Sequence, residues 1–136
     1  MKKYIFIGIG GFAGAVLRYL LKSIDINSPE IALPLTTLAT NIIGVFLLAF
    51  ISVLSIRIWK LDSEYHLGIT VGFLGSFTTF STLCKESVDL FTSGYSLYAS
   101  AYISVSLILG FFAAYFGTVL ADIAVSKYNQ SRKGIE

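Results

Sequence analysis

Thiol chemistry is almost absent from this chain: Cys84 is its single cysteine. An intrachain disulfide and any CxxC redox or metal motif are therefore excluded. One histidine, His66, sits in a polar stretch without a second ligand nearby, so a metal role is not expected of it. Charge is equally scarce. Only 13% of residues are Asp, Glu, Lys or Arg, and the net charge is +2. No basic run precedes the terminal Lys127, Arg132 and Lys133, so nucleic acid is not an expected partner. There is no Ser/His/Asp or Cys/His set, no phosphate loop and no carboxylate pair. No enzyme is read from these residues.

What fills the sequence instead is apolar. Mean hydropathy is +0.77 over 136 residues, which bounds the chain to one small domain lying mostly in a bilayer. A hydrocarbon core of about 30 Å takes roughly 20 helical residues. Ile31 to Ile56 runs 26 residues without a charge, Leu90 to Ala121 runs 32, and Leu67 to Cys84 runs 18. A further uncharged stretch, Tyr4 to Leu17, continues past Arg18 through Leu21. The expected spans are 4–22, 32–59, 67–91 and 95–124, followed by a short polar tail over 126–136. The fold class expected is all-α and integral to the membrane. The MKK start before an apolar run also fits a secretory signal. Gly8, Gly10, Gly11 and Gly14 favour a helix that packs closely instead.

Turn chemistry joins these spans. Asp25, Asn27, Ser28, Pro29 and Glu30 form the first loop, and Pro34 falls in the first turn of span two. Trp59 suits the interface at the end of that span. The side holding the termini and the second loop carries Lys2, Lys3, Arg57, Lys60, Lys127, Arg132 and Lys133, seven of the ten basic residues. Taken alone, that bias puts both termini in the cytoplasm.

The stretch Gly72-Phe-Leu-Gly-Ser-Phe-Thr-Thr-Phe-Ser-Thr82 puts hydroxyls and glycines inside an uncharged span. Hydrocarbon offers them no partners, so this composition suits a span lining a polar site. Gly68, Gly72, Gly75 and Ser76 allow a second backbone to come close. Thr78 and Thr79 can bend a helix, and a break here, near 75–79, would free carbonyls for protein, water or a cation. A plain small-residue interface with back-bonded threonines reads equally from the spacing. On span two, Thr37, Asn41 and Gly44 share a face. The Asn41 amide offers donors to an anion or simply an interhelical bond. On span four, Tyr98, Tyr102, Ser106 and Gly110 recur every four residues, as a donor stripe or as packing. Arg18 either snorkels to the interface or lends positive potential to a vestibule, with Glu86 as a partner if the fold joins them.

Three motifs in order carry a family resemblance. Gly10-Gly-Phe-Ala-Gly-Ala-Val-Leu-Arg18-Tyr19 is similar to a GGxxGAxxRY first helix, Thr37-Leu-Ala-Thr-Asn41-Ile-Ile-Gly44 to a TLxxNxxG helix, and Gly75-Ser-Phe-Thr78-Thr-Phe80-Ser81-Thr82 to a GgfTTFST hallmark. Over nearly its whole length the chain resembles the bacterial CrcB/Fluc fluoride channels. The resemblance implies an antiparallel, dual-topology homodimer of four-helix subunits in the inner membrane, with the third helix broken at mid-membrane. It implies passive export of cytoplasmic fluoride down its electrochemical gradient. It also implies a structural sodium ion at the dimer centre, held by the backbone carbonyls of Gly75 and Thr78. The fluoride path it implies runs by Asn41, Phe80, Ser81, Thr82, Tyr102 and Ser106, with Arg18 and Glu86 in structural or vestibule roles. Leu83 stands where the family has a second phenylalanine, and Gly110 where relatives often carry serine. The readings set against this one are a small multidrug or cation transporter, whose proton-coupled kind needs a carboxylate that the first span lacks, and a non-transporting membrane subunit.

Overall fold

A computed structural model describes residues 1–23 and 33–133. The expected loop from Asp25 to Glu30 and the expected start of span two at Ala32 lie outside the described residues. The architecture is all-helical. Helix α1 covers Lys2–Ser23 and α2 covers Leu35–Arg57. Next come α3, Ser63–Leu67, a π-helical segment, Gly68–Leu74, and the single turn α4, Gly75–Phe77. Helix α5, Phe80–Thr92, and the long α6, Ser96–Lys133, complete the chain. Among the described residues four stretches are long and apolar enough to cross a bilayer: Lys2–Ser23, Leu35–Arg57, Ser63–Thr92 and Ser96–Arg132.

Several boundaries differ from the sequence reading. Pro34 is the N-cap of α2 rather than part of its first turn, since its ψ of 75° is not helical. The third span starts earlier, so His66 lies in α3 rather than in a loop. Its Nδ1 is 2.7 Å from Ser55 Oγ on α2, a bond that holds the start of this span. The short polar tail expected from Ser126 instead continues α6 through Lys133. At 38 residues, α6 measures about 57 Å at 1.5 Å per residue, nearly twice a bilayer core.

Packing follows the small residues. Helix α1 lies along the first half of the third span, and α2 lies along α6. A Cβ on Gly10 would strike the Gly68 carbonyl oxygen, and one on Gly14 the Phe73 carbonyl oxygen. These glycines let two backbones touch, where dispersion rather than hydrophobicity holds helices together in lipid. Gly8 has no such role, because nothing lies within 4 Å of a Cβ there. Beyond the interruption at Thr78–Thr79, α5 leaves α1 and packs on α6 around Leu90, Ala99 and Tyr102. At the opposite end Leu54, Ala121 and Val125 join α2 to α6. Most large apolar side chains point outward, among them Phe12, Leu97 and Phe111. That is the pattern of a protein whose solvent is lipid.

Candidate functional site

The site is built where the third span is interrupted. Thr78 (φ −76°, ψ 154°) and Thr79 (φ −147°, ψ 117°) are extended, a conformation that suits β-branched residues. Thr79 then restarts the helix as the N-cap of α5. Its hydroxyl oxygen accepts from the Thr82 N–H at 3.2 Å and donates to Thr82 Oγ1 at 2.9 Å. Ser81 Oγ is 3.3 Å from the same hydroxyl.

Helix α2 clasps this interruption with the stripe Thr37, Asn41 and Gly44. Asn41 Oδ1 accepts the Thr79 N–H at 2.7 Å, and Asn41 Nδ2 donates to the Thr79 carbonyl at 3.0 Å. One turn on, a Cβ at Gly44 would collide with the Thr78 methyl and lie 3.0 Å from the Phe77 ring. In an unbroken helix the Gly75 carbonyl would receive the Thr79 N–H, and the Thr78 carbonyl the Thr82 N–H. Here both N–H groups are spent elsewhere. Two carbonyls are left with acceptor capacity, and Gly75 itself is exposed on the subunit.

Two cavities flank Thr79, which lines both. One is about 220 Å³, lined by Arg18, Tyr19 and Lys22 of α1 and by Thr36, Thr37 and Thr40. Thr82 closes it from α5. Thr36 Oγ1 is buried beside this pocket without a hydrogen-bond partner among the described residues. The other is a groove of about 800 Å³ with mostly apolar walls, which Asn41, Thr78, Phe80, Ser106 and Gly110 line. Phe80 is 75% exposed in the subunit and stands at this groove.

Behind Thr82, Glu86 gathers donors from three other helices. Lys22 Nζ lies at 3.2 Å, Thr37 Oγ1 donates at 2.9 Å and Tyr102 Oη donates at 2.9 Å. A carboxylate only 16% exposed needs such a shell, because an unpaired charge there is costly. The cation that Glu86 takes is thus Lys22 and not Arg18, which lines the smaller pocket.

The residues singled out in the sequence separate accordingly. Asn41, Phe80 and Ser106 meet on the groove, Arg18 and Thr82 on the smaller pocket, and Tyr102 on Glu86. Ser106 donates to the Tyr102 carbonyl of its own helix at 2.7 Å. Tyr98, on the same stripe, is exposed, and Gly110 has open space before it. Leu83 packs beside the Leu90–Ala99–Tyr102 cluster and also borders the groove. Lys22, Thr36 and Thr79 were not singled out as site residues by their spacing. Among the described residues no group of three His, Cys, Asp or Glu side chains could hold a metal.

Residues 5–118 match the family described as CrcB-like protein, Camphor Resistance (CrcB). The chain belongs to this family. It is 42% identical over 123 residues to the fluoride-specific ion channel FluC of Chlorobaculum tepidum, covering 90% of this chain and 97% of the relative. With the FluC of Thermosipho melanesiensis it shares 40% over 119 residues, covering 87% and 94%. With FluC 1 of Bacillus cereus it shares 39% over 124 residues, covering 91% and 86%. As a CrcB-family chain with four membrane-capable helices, it is a multi-pass membrane protein. The family match ends within α6 at residue 118, so the basic helical extension lies beyond it.

Proposed function

We propose that this chain is a fluoride-selective ion channel that lets cytoplasmic fluoride leave passively down its electrochemical gradient. The observation that carries the proposal is the interruption at Thr78–Thr79, with a pocket lined by Arg18, Lys22 and threonines on one side and a groove bearing Phe80 and Ser106 on the other. Fluoride is strongly hydrated, so a path must replace its water with donors. Arg18, Lys22 and the threonine hydroxyls draw the anion in. Thr82 and Ser81 supply donors beside the interruption, and the Phe80 ring edge, Ser106 and the free Asn41 N–H extend the path along the groove. Tyr102 and Glu86 form its polar wall. The relatives' name, fluoride-specific ion channel, supports the choice of anion.

The working unit of this reading is an antiparallel, dual-topology homodimer of one-domain subunits in the bacterial inner membrane, with each third helix broken at mid-membrane. The exposed groove and the exposed Gly75 form the face a second copy covers. A central sodium ion fits the donor set: carbonyls of Gly75 and Thr78 whose helical N–H partners are bonded elsewhere are hard, uncharged oxygen ligands. When bound, the ion supplies a fixed positive charge between the two interruptions.

The test is efflux from liposomes holding the purified dimer, followed with a fluoride electrode. Rapid voltage-driven fluoride release with negligible chloride release is expected, and Phe80→Ile is expected to suppress it while the dimer still forms. A correctly inserted dimer that releases no fluoride would refute the proposal.

A further inference from the structure

The geometry points to Asn41 as the positioning residue that keeps the third span interrupted, and through it the residue that keeps the Gly75 carbonyl free. The cation part of this inference rests on the sodium reading above; the conformational part does not.

Asn41 satisfies both backbone groups of one residue. Its Oδ1 takes the Thr79 N–H at 2.7 Å and its Nδ2 gives to the Thr79 carbonyl at 3.0 Å, the paired pattern a neighbouring strand would provide. Thr79 is 8% exposed, so leaving both of its backbone groups unpaired is costly. Without the amide, the Thr79 N–H has one near acceptor that the chain itself supplies, the Gly75 carbonyl four residues back. Closing that bond would return Thr79 toward helix and use the oxygen a cation needs. Gly44 completes the device by leaving room for the Thr78 methyl and the Phe77 ring against α2. Two of the three Asn41 polar valences that matter here are therefore structural, and the amide's remaining N–H is all it can lend to an anion.

The experiment compares the intact dimer with Asn41→Leu, which has similar volume and no amide, and with Asn41→Asp, which keeps an acceptor for the Thr79 N–H. Two readouts independent of flux are taken: the Thr79 13Cα and 13Cβ shifts by solid-state NMR in lipid, and the sodium concentration at half-maximal thermal stabilisation. In Asn41→Leu the Thr79 shifts are expected to move from the extended toward the helical range. The sodium midpoint is expected to rise about tenfold or more, as follows from losing two ordinary hydrogen bonds. In Asn41→Asp, Thr79 is expected to stay extended although the new negative charge suppresses fluoride flux. An Asn41→Leu dimer with extended Thr79 and an unchanged sodium midpoint, but no flux, would make Asn41 an anion ligand only and overturn the inference. If Asn41→Leu does not assemble, helical Thr79 shifts in Asn41→Asp would overturn it instead. A wild-type dimer indifferent to sodium would remove the cation reading, and the Thr79 shifts would still decide the role of Asn41.

Discussion

Replacing Gly14 with alanine tests how the first helix holds the interrupted span. The added Cβ would meet the Phe73 carbonyl oxygen well inside contact distance, with Phe73 C at 3.0 Å and the Phe77 nitrogen at 3.1 Å. All three neighbours are backbone, so no side-chain rotation relieves them. Helix α1 must move away from the span, losing the close approach that Gly10, Gly14 and Gly72 together permit. Overpacking of this kind costs about 1–3 kcal/mol. Gly8→Ala is the internal control. It adds the same methyl to the same helix in open space and relieves glycine's helix penalty of about 0.5–1 kcal/mol. Gly14→Ala gains the same helix term, so the two substitutions should be separated by the overpacking alone, roughly 1–3 kcal/mol, with Gly14→Ala the less stable. In thermal unfolding of the lipid-supplemented protein, Gly14→Ala should melt several degrees below Gly8→Ala, which melts at or above wild type. Because the Phe77 nitrogen lies one residue before Thr78, Gly14→Ala should also reduce fluoride efflux. Equal melting of the two variants would refute the packing argument.

Two further outcomes follow from the hydrogen bonds. Tyr102→Phe keeps the buried ring but removes one of three donors to Glu86, and should cost about 1–2 kcal/mol in thermal unfolding and lower efflux. An unchanged melting temperature would mean that Lys22 and Thr37 satisfy the carboxylate alone. Thr36→Val replaces a buried hydroxyl that has no partner among the described residues, so it should leave stability equal or raise it by about 1 kcal/mol. If that hydroxyl serves an anion in the pocket, efflux should fall in the same protein. Loss of stability would show that the hydroxyl is satisfied in the lipid-embedded protein.

How much was legible before any coordinates depends on the range of the interaction concerned. The four spans were readable because bilayer crossing is a property of local composition and length: uncharged runs of 18 to 32 residues have few other uses. The stripe Thr37–Asn41–Gly44 was readable because helical periodicity aligns positions three and four apart. Its alternatives could not be resolved that way. Whether Asn41 faced an anion or a neighbouring helix depended on Thr79, 38 residues distant. Gly8 and Gly14 look alike in sequence, yet only Gly14 lies at a backbone crossing. Arg18 and Lys22 were one turn apart, and geometry gave Glu86 to the lysine.

The sequence by itself determined the solvent of this protein, its helical class, the family motifs and the small-residue, hydroxyl-rich character of the third span. These are sums of local terms: transfer of apolar residues, the need to satisfy backbone in hydrocarbon, and helical period. Only the tertiary structure decided which helix supplies each missing partner. The extended Thr78–Thr79 pair survives because an amide on α2 takes both backbone groups of Thr79. The carboxylate of Glu86 has its partners among helices because α1, α2 and α6 each bring one donor to it. Such bonds are short-ranged in space and long-ranged along the chain, so no local reading of residues could have assigned them.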